Sequence, residues 1–194
     1  LTPEQLRLVE RTHRDFIRNG AQLPPAARAE FASLQGQLAQ LCTRFAQNLL
    51  HDENAFTLPL PDDAAMVGLP DFVRAAARQA GAERGLAVPV ITLGRSLILP
   101  FLGFSTRRDL REAAWRAWVG RGEHAGAHDN RPVAREILAL RTELARLHGY
   151  PSYADYALVD RMAGTPAAVA ALLAEVWEPA KARARDECDA LVGA

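Results

Sequence analysis

Of the histidines at positions 13, 51, 124, 128 and 148, only His124 and His128 have the four-residue spacing that sets two imidazoles on one helical face. With Asp129 beside them they would offer two nitrogen donors and a carboxylate, the raw material of a small metal-dependent hydrolase. Their setting argues against that use. Ala125 follows His124, so no glutamate stands where the general base of a His-Glu-x-x-His helix belongs. Gly122, Gly126 and the Asp129-Asn130 pair point instead to a loop that ends in a helix cap. The sequence therefore assigns no catalytic, cofactor-binding or metal-binding residue, and no stoichiometric zinc is expected on this chain.

Other chemistry-bearing groups also have plainer uses. Arg107, Arg108, Arg111, Arg116 and Arg121 beside Trp115 and Trp118 have the ingredients of a basic, aromatic nucleic-acid face. Asp109 and Glu112 dilute it, and a solvated helix face is expected. Tyr150, Tyr153 and Tyr156 are phenols within reach of a peptide, but their spacing suits packing between helices. Glu143, Asp155 and Asp160 supply carboxylates without a partner acid, so no acid/base pair is assigned. No nucleophile elbow, phosphate-binding loop or dinucleotide fingerprint is present in the sequence.

Composition sets the class. In 194 residues, 49% are hydrophobic and 24% charged, which suits a globular chain with a substantial core. Formal net charge is zero, so neither nucleic acid nor a membrane surface is an expected partner. Lys181 is the only lysine, leaving 22 of the 23 basic residues as arginine, a skew attributable to coding background. Cys42 and Cys188 form no CxxC pair and read as ordinary thiols. With no leader-like start and no long apolar span, a cytoplasmic location is expected. The chain opens Leu1-Thr2-Pro3-Glu4 without methionine and stops at Ala194 inside an apparent helix, so both ends look cut.

The elements that must hold these groups are mostly helices. Thr2, Pro3 and Gln5 form a capping-box start, with Leu6, Val9, Phe16 and Ile17 as the apolar face and Asn19-Gly20 as the stop. After Pro24-Pro25, Phe31, Leu34, Leu38, Leu41, Phe45 and Leu49 mark a longer helix that should pair with the first as an antiparallel hairpin. Between Ala55 and Gly103 the periodicity changes. Phe56–Leu60 and Val88–Leu93 read as short strands around a helix from about Pro70 to Ala80, closed by Gly81 and Gly85. Each strand holds a proline, which places at least one at a sheet edge.

From Ser105 helices resume. One carries Leu110, Ala114 and Trp118, and another Val133, Ile137, Leu140, Leu144 and Leu147 before Gly149. A third starts at Ser152, and the last starts at Thr165-Pro166 with Val169, Leu172, Leu173 and Val176 on its apolar side. Pro179 should kink or interrupt it. The fold class expected is mainly α, a helical hairpin and helical bundle with a small two-stranded β insert. Residues 1–104 would form the hairpin and insert and 105–194 the helical segment, as one continuous block with no internal repeat.

Several short motifs occur in a telling order. They are Asp129-Asn130-Arg131, Ile137-Leu138-Ala139-Leu140-Arg141, Leu147-His148-Gly149-Tyr150, Ala154-Asp155-Tyr156, Arg161-Met162-Ala163 and Thr165-Pro166. Upstream stand Ile91-Thr92-Leu93, Leu99-Pro100-Phe101-Leu102, Asp109-Leu110-Arg111-Glu112 and, more loosely, Glu10-Arg11 and Arg14-Asp15-Phe16. The succession resembles the thimet oligopeptidase, oligopeptidase A and peptidyl-dipeptidase family of zinc metallopeptidases, with Arg161 where the family usually has lysine. The resemblance implies part of a neurolysin-like metallopeptidase fold, in which two mostly helical halves flank a channel that admits short peptides. It further implies a piece upstream of the zinc-binding His-Glu-x-x-His helix: zinc in the parent enzyme, none in this chain, and short peptide substrates reached only through the parent. Such a piece is expected to self-associate or to be marginally stable, because its end helices would lack their covering partners. The alternative from another class is a free-standing helical interaction module without enzymatic activity.

Overall fold

The computed structural model describes residues 1–193, so the chain end at Ala194, expected inside a helix, lies outside the described residues. The architecture is mainly α: eight α-helices and one two-stranded antiparallel sheet among the described residues. In chain order these are α1 (Pro3–Arg18), α2 (Pro25–Ala55), β1 (Leu58–Pro59), a 3-10 turn (Asp63–Met66), α3 (Asp71–Glu83), β2 (Val90–Ile91), α4 (Arg95–Phe104), α5 (Arg108–Val119), α6 (Asn130–Leu147), α7 (Tyr153–Leu158) and α8 (Pro166–Val192). They fall into two compact units, residues 1–38 with 138–194 and residues 39–137.

In the unit of residues 39–137, the core gathers Leu60, Met66, Leu69, Val73, Val90, Ile91, Leu93, Ile98 and Phe101 between the sheet and α3 to α5. Leu58 pairs with Ile91 and Pro59 with Val90, and the Leu60 amide donates to the Pro89 carbonyl at 2.8 Å. Each strand needs only one neighbour, so the prolines sit where their missing donor leaves no gap. α3 runs past Gly81 to Glu83. A Cβ at Gly81 would lie 2.2 Å from the Val88 carbonyl oxygen, so this position is glycine because the returning chain touches the helix backbone.

Two elements differ from expectation here. The 3-10 turn, capped by Asp62, buries Ala65 and Met66. The segment before Gly103 is helical from Arg95, with Pro100 inside α4. The run Leu97-Ile98-Leu99-Pro100-Phe101-Leu102 is nearly continuous in apolar residues, which hides a helical period. Burial of Leu97, Ile98 and Phe101 holds the helix despite the proline.

In the other unit, α1 carries the expected capping box from Thr2 and Gln5, and Gly20 follows its end at φ +88. Its expected apolar face is not buried: Leu6, Val9 and Phe16 are exposed, and no residue of α1 is buried. Leu34, Leu38, Leu140, Leu144, Ala145 and Tyr156 are the buried hydrophobics of this unit. α6 closes with a Schellman turn in which Tyr150 N donates to Ala145 O and Gly149 N to Arg146 O, both at 2.9 Å, with Gly149 at φ +80. α8 starts at the Thr165 cap and continues through Pro179 for 27 residues, so the proline does not interrupt it. An exposed helix loses one backbone bond there, and water can take the freed carbonyl. No residue of α8 is buried. Among the described residues no helix is long and apolar enough to cross a membrane.

Candidate functional site

The unit of residues 39–137 contains the loop with the paired histidines. Residues 121–129 are turn and bend, not helix, so His124 and His128 do not share a helical face. The loop is tied down by buried amides. Asn130, 5% exposed, donates from Nδ2 to the Phe45 carbonyl at 3.0 Å and accepts from Asn48 Nδ2 at 2.9 Å. Its backbone amide donates to Gly122 O at 2.8 Å, and Gly122 N donates to Asp52 Oδ2 at 2.7 Å. The Asp129 carboxylate accepts from Arg131 N at 2.9 Å and is clasped by the Arg131 guanidinium; these bonds bring its carboxyl down to about 2. The Asp-Asn-Arg triplet thus starts α6 and pins the loop to α2, which is an architectural task.

His128 stacks on His51 with centroids 3.7 Å apart, and its Nδ1 lies 3.3 Å from Asn48 Oδ1, which favours the proton on Nδ1. His124 Nε2 sits 3.8 Å from Asp52 Oδ2. Arg121 pairs with Glu53 and lies 3.6 Å over the Trp118 ring. Arg107 forks onto Asp109, Arg116 onto Glu112, and Arg111 donates to the Ser105 carbonyl at 2.7 Å. Most of the arginine set is therefore occupied by neighbours along α5 and the loops beside it.

In the other unit Tyr156 is the centre of an aromatic cluster. His148 stacks on it at 5.3 Å, Tyr150 meets it edge-on at 5.5 Å and Tyr153 lies at 5.9 Å. Arg18 lies 4.2 Å from the Tyr156 ring centre and donates to the Tyr156 carbonyl at 2.7 Å. Its other terminal nitrogen is 3.2 Å from Asp160 Oδ1, an ion pair poorly aligned for a hydrogen bond. Burial works to raise the Asp160 carboxyl, but the Arg18 and Arg161 guanidiniums outweigh it and hold it below the usual range. Burial, with repulsion from Arg18, pushes the His148 imidazole below its ordinary value. Asp155 accepts from Ser152 Oγ at 2.6 Å and serves the α7 cap.

These groups do not fit a zinc centre. His124 and His128 face a carboxylate and an amide on different neighbours, and among the described residues no three His, Cys, Asp or Glu side chains converge as ligands. Cys42 and Cys188 are both exposed free thiols. Sequence reasoning missed the Asn48–Asn130 contact and the Arg18–Tyr156 contact, which join residues 82 and 138 positions apart. The usable hint was the Asp-Asn-Arg triplet, whose cap role was legible while its partner on α2 was not.

Polar clusters that fasten loops and helix ends thus sit on a mainly helical frame. A profile of peptidase family M3 matches residues 101–193. Oligopeptidase A of Haemophilus influenzae is 32% identical over 193 residues, covering 97% of this chain and 28% of the relative. Oligopeptidase A of Salmonella typhimurium is 31% identical over 191 residues, and dipeptidyl carboxypeptidase of Escherichia coli 32% over 191; each match covers 96% of this chain and 28% of the relative. The chain is thus similar over nearly its whole length to oligopeptidase A and dipeptidyl carboxypeptidase, and from residue 101 onward to peptidase family M3. It spans little more than a quarter of the length of the curated relatives it matches.

Proposed function

We propose that this chain is a non-catalytic, channel-wall portion of a zinc-dependent oligopeptidase or peptidyl-dipeptidase that cleaves short peptides in the cytoplasm. The observation that carries the reading is the mismatch of coverage, with 97% of the chain aligned to oligopeptidase A against 28% of that enzyme. Two structural features support it. The motifs shared with the family serve caps, turns and packing: Asn130 locks a loop, Gly149-Tyr150 closes α6, and Thr165-Pro166 starts α8. Next, His124 and His128 are engaged by Asp52 and Asn48, so the reading takes zinc and its general base from residues outside this sequence.

The exposed side of α8, with Leu172, Leu173, Val176 and Trp177, favours a second reading as a free-standing helical interaction module. Reading the gene beyond residue 194 separates the two. A downstream His-Glu-x-x-His segment in the same frame supports the channel-wall reading. A stop codon shortly after, with a stable monomeric product, refutes it and supports the module.

A further inference from the structure

The aromatic cluster around Tyr156 borders a cavity of about 310 Å³ that no role described above uses. His13, Arg14 and Arg18 of α1 form one wall, and His148, Tyr150 and Tyr156 the other. Two polar atoms of its lining residues, Arg14 Nη1 and His148 Nε2, have neither solvent-accessible surface nor a hydrogen-bond partner, so each side chain must turn toward the cavity to meet a ligand. A guanidinium nitrogen in that position is unusual, because a buried charged donor left unpaired is destabilising. Both orphaned atoms belong to residues that line one cavity, and both are able to donate.

We propose that this cavity is a binding site for a small organic carboxylate, held by the Arg14 guanidinium and His148 Nε2, with its organic body against the tyrosine rings. Charge selects the class. Arg18 is already matched by Asp160, and Glu10 at the rim is matched by Arg7 at 3.4 Å. Arg14 is left as the cation to be neutralised, which suits a monoanion better than a phosphate dianion. The low basicity of His148 keeps the ring neutral near pH 7, so it contributes a donor and not a second charge. The planar fork of arginine fits a carboxylate in bidentate fashion. The volume exceeds that of a bare ion, and the aromatic wall gives an apolar body a surface to cover.

The test uses the 194-residue chain and benzoate, acetate and inorganic phosphate as probes, followed by calorimetry and by the His148 ring signals in NMR. Benzoate should bind saturably and more tightly than acetate, shift the His148 resonances, and raise the His148 pKa, because a bound anion favours the imidazolium. Arg14→Gln should weaken benzoate at least tenfold, Arg14→Lys by less, and Arg44→Gln, on the exposed surface of α2, should leave it unchanged. Helical circular dichroism of each variant confirms folding, and the lysine variant carries the comparison if the glutamine variant does not fold. Absence of saturable binding, unchanged affinity in the folded arginine variants, or tighter binding of phosphate than of benzoate would overturn the proposal.

Discussion

Replacing Asn130 by alanine should be among the most damaging single changes in the unit of residues 39–137. The side chain makes two bonds, donating to the Phe45 carbonyl at 3.0 Å and accepting from Asn48 Nδ2 at 2.9 Å, and it is 5% exposed. Phe45 keeps its place in the α2 ladder, so that loss is worth about 1 kcal/mol. Asn48 Nδ2 would be left buried without an acceptor, at about 1–3 kcal/mol. The sum is about 2–4 kcal/mol, or a fall in Tm of about 5–15 °C for a chain of this size. Urea unfolding read by tryptophan fluorescence reports on this unit in a Trp177→Phe background, since Trp115 and Trp118 lie within the unit and Trp177 lies in the other. A double-mutant cycle with Asn48→Ala isolates the pair, and the double variant should be less destabilised than the sum of the singles by about 1 kcal/mol or more. Strict additivity, or a loss below about 1 kcal/mol for Asn130→Ala, would show that the amide pair does not hold the loop and that the Asp-Asn-Arg triplet has another task.

Other consequences follow from single positions. His148 has a lowered pKa in the folded chain, so its neutral form adds stability that is complete above the ordinary value of 6.5 and is lost as pH falls through the folded value. His148→Gln should flatten that acid-side decline in a pH series of Tm; an unchanged slope would contradict the burial argument. Gly81→Ala places a Cβ 2.2 Å from the Val88 carbonyl and should destabilise by roughly 2 kcal/mol or more, since backbone has to move. Gly36→Ala, in the exposed middle of α2 with nothing within 4 Å, should stabilise by about 0.5–1 kcal/mol, and the two variants together test whether contact or propensity decides.

Helix starts and stops were legible because they are written in adjacent residues: Thr2 with Gln5, Thr165 with Pro166, and Gly149 after Leu147 each act within one turn. The strands were legible in place but shortened to two residues each, since only Leu58–Pro59 and Val90–Ile91 meet as a ladder. α4 was not legible, because an unbroken apolar run with a proline has no period to read and is held as helix by burial. The apolar positions of α1 and α8 were placed on helices correctly, yet periodicity alone does not say what covers a face, and these faces are exposed. At the histidine loop the missing glutamate was readable, whereas the His51 stack and the Asn48 contact depend on α2, more than 70 residues away.

We propose that this chain shapes an oligopeptidase without carrying its chemistry. The most direct test of this is hydrolysis of a short unstructured peptide by the highly purified 194-residue chain with added zinc, beside the product of the complete reading frame. The account predicts an intact peptide with the chain alone and chelator-sensitive cleavage by the complete product. Chelator-sensitive cleavage by the chain alone, abolished by His124→Ala or His128→Ala, would contradict it.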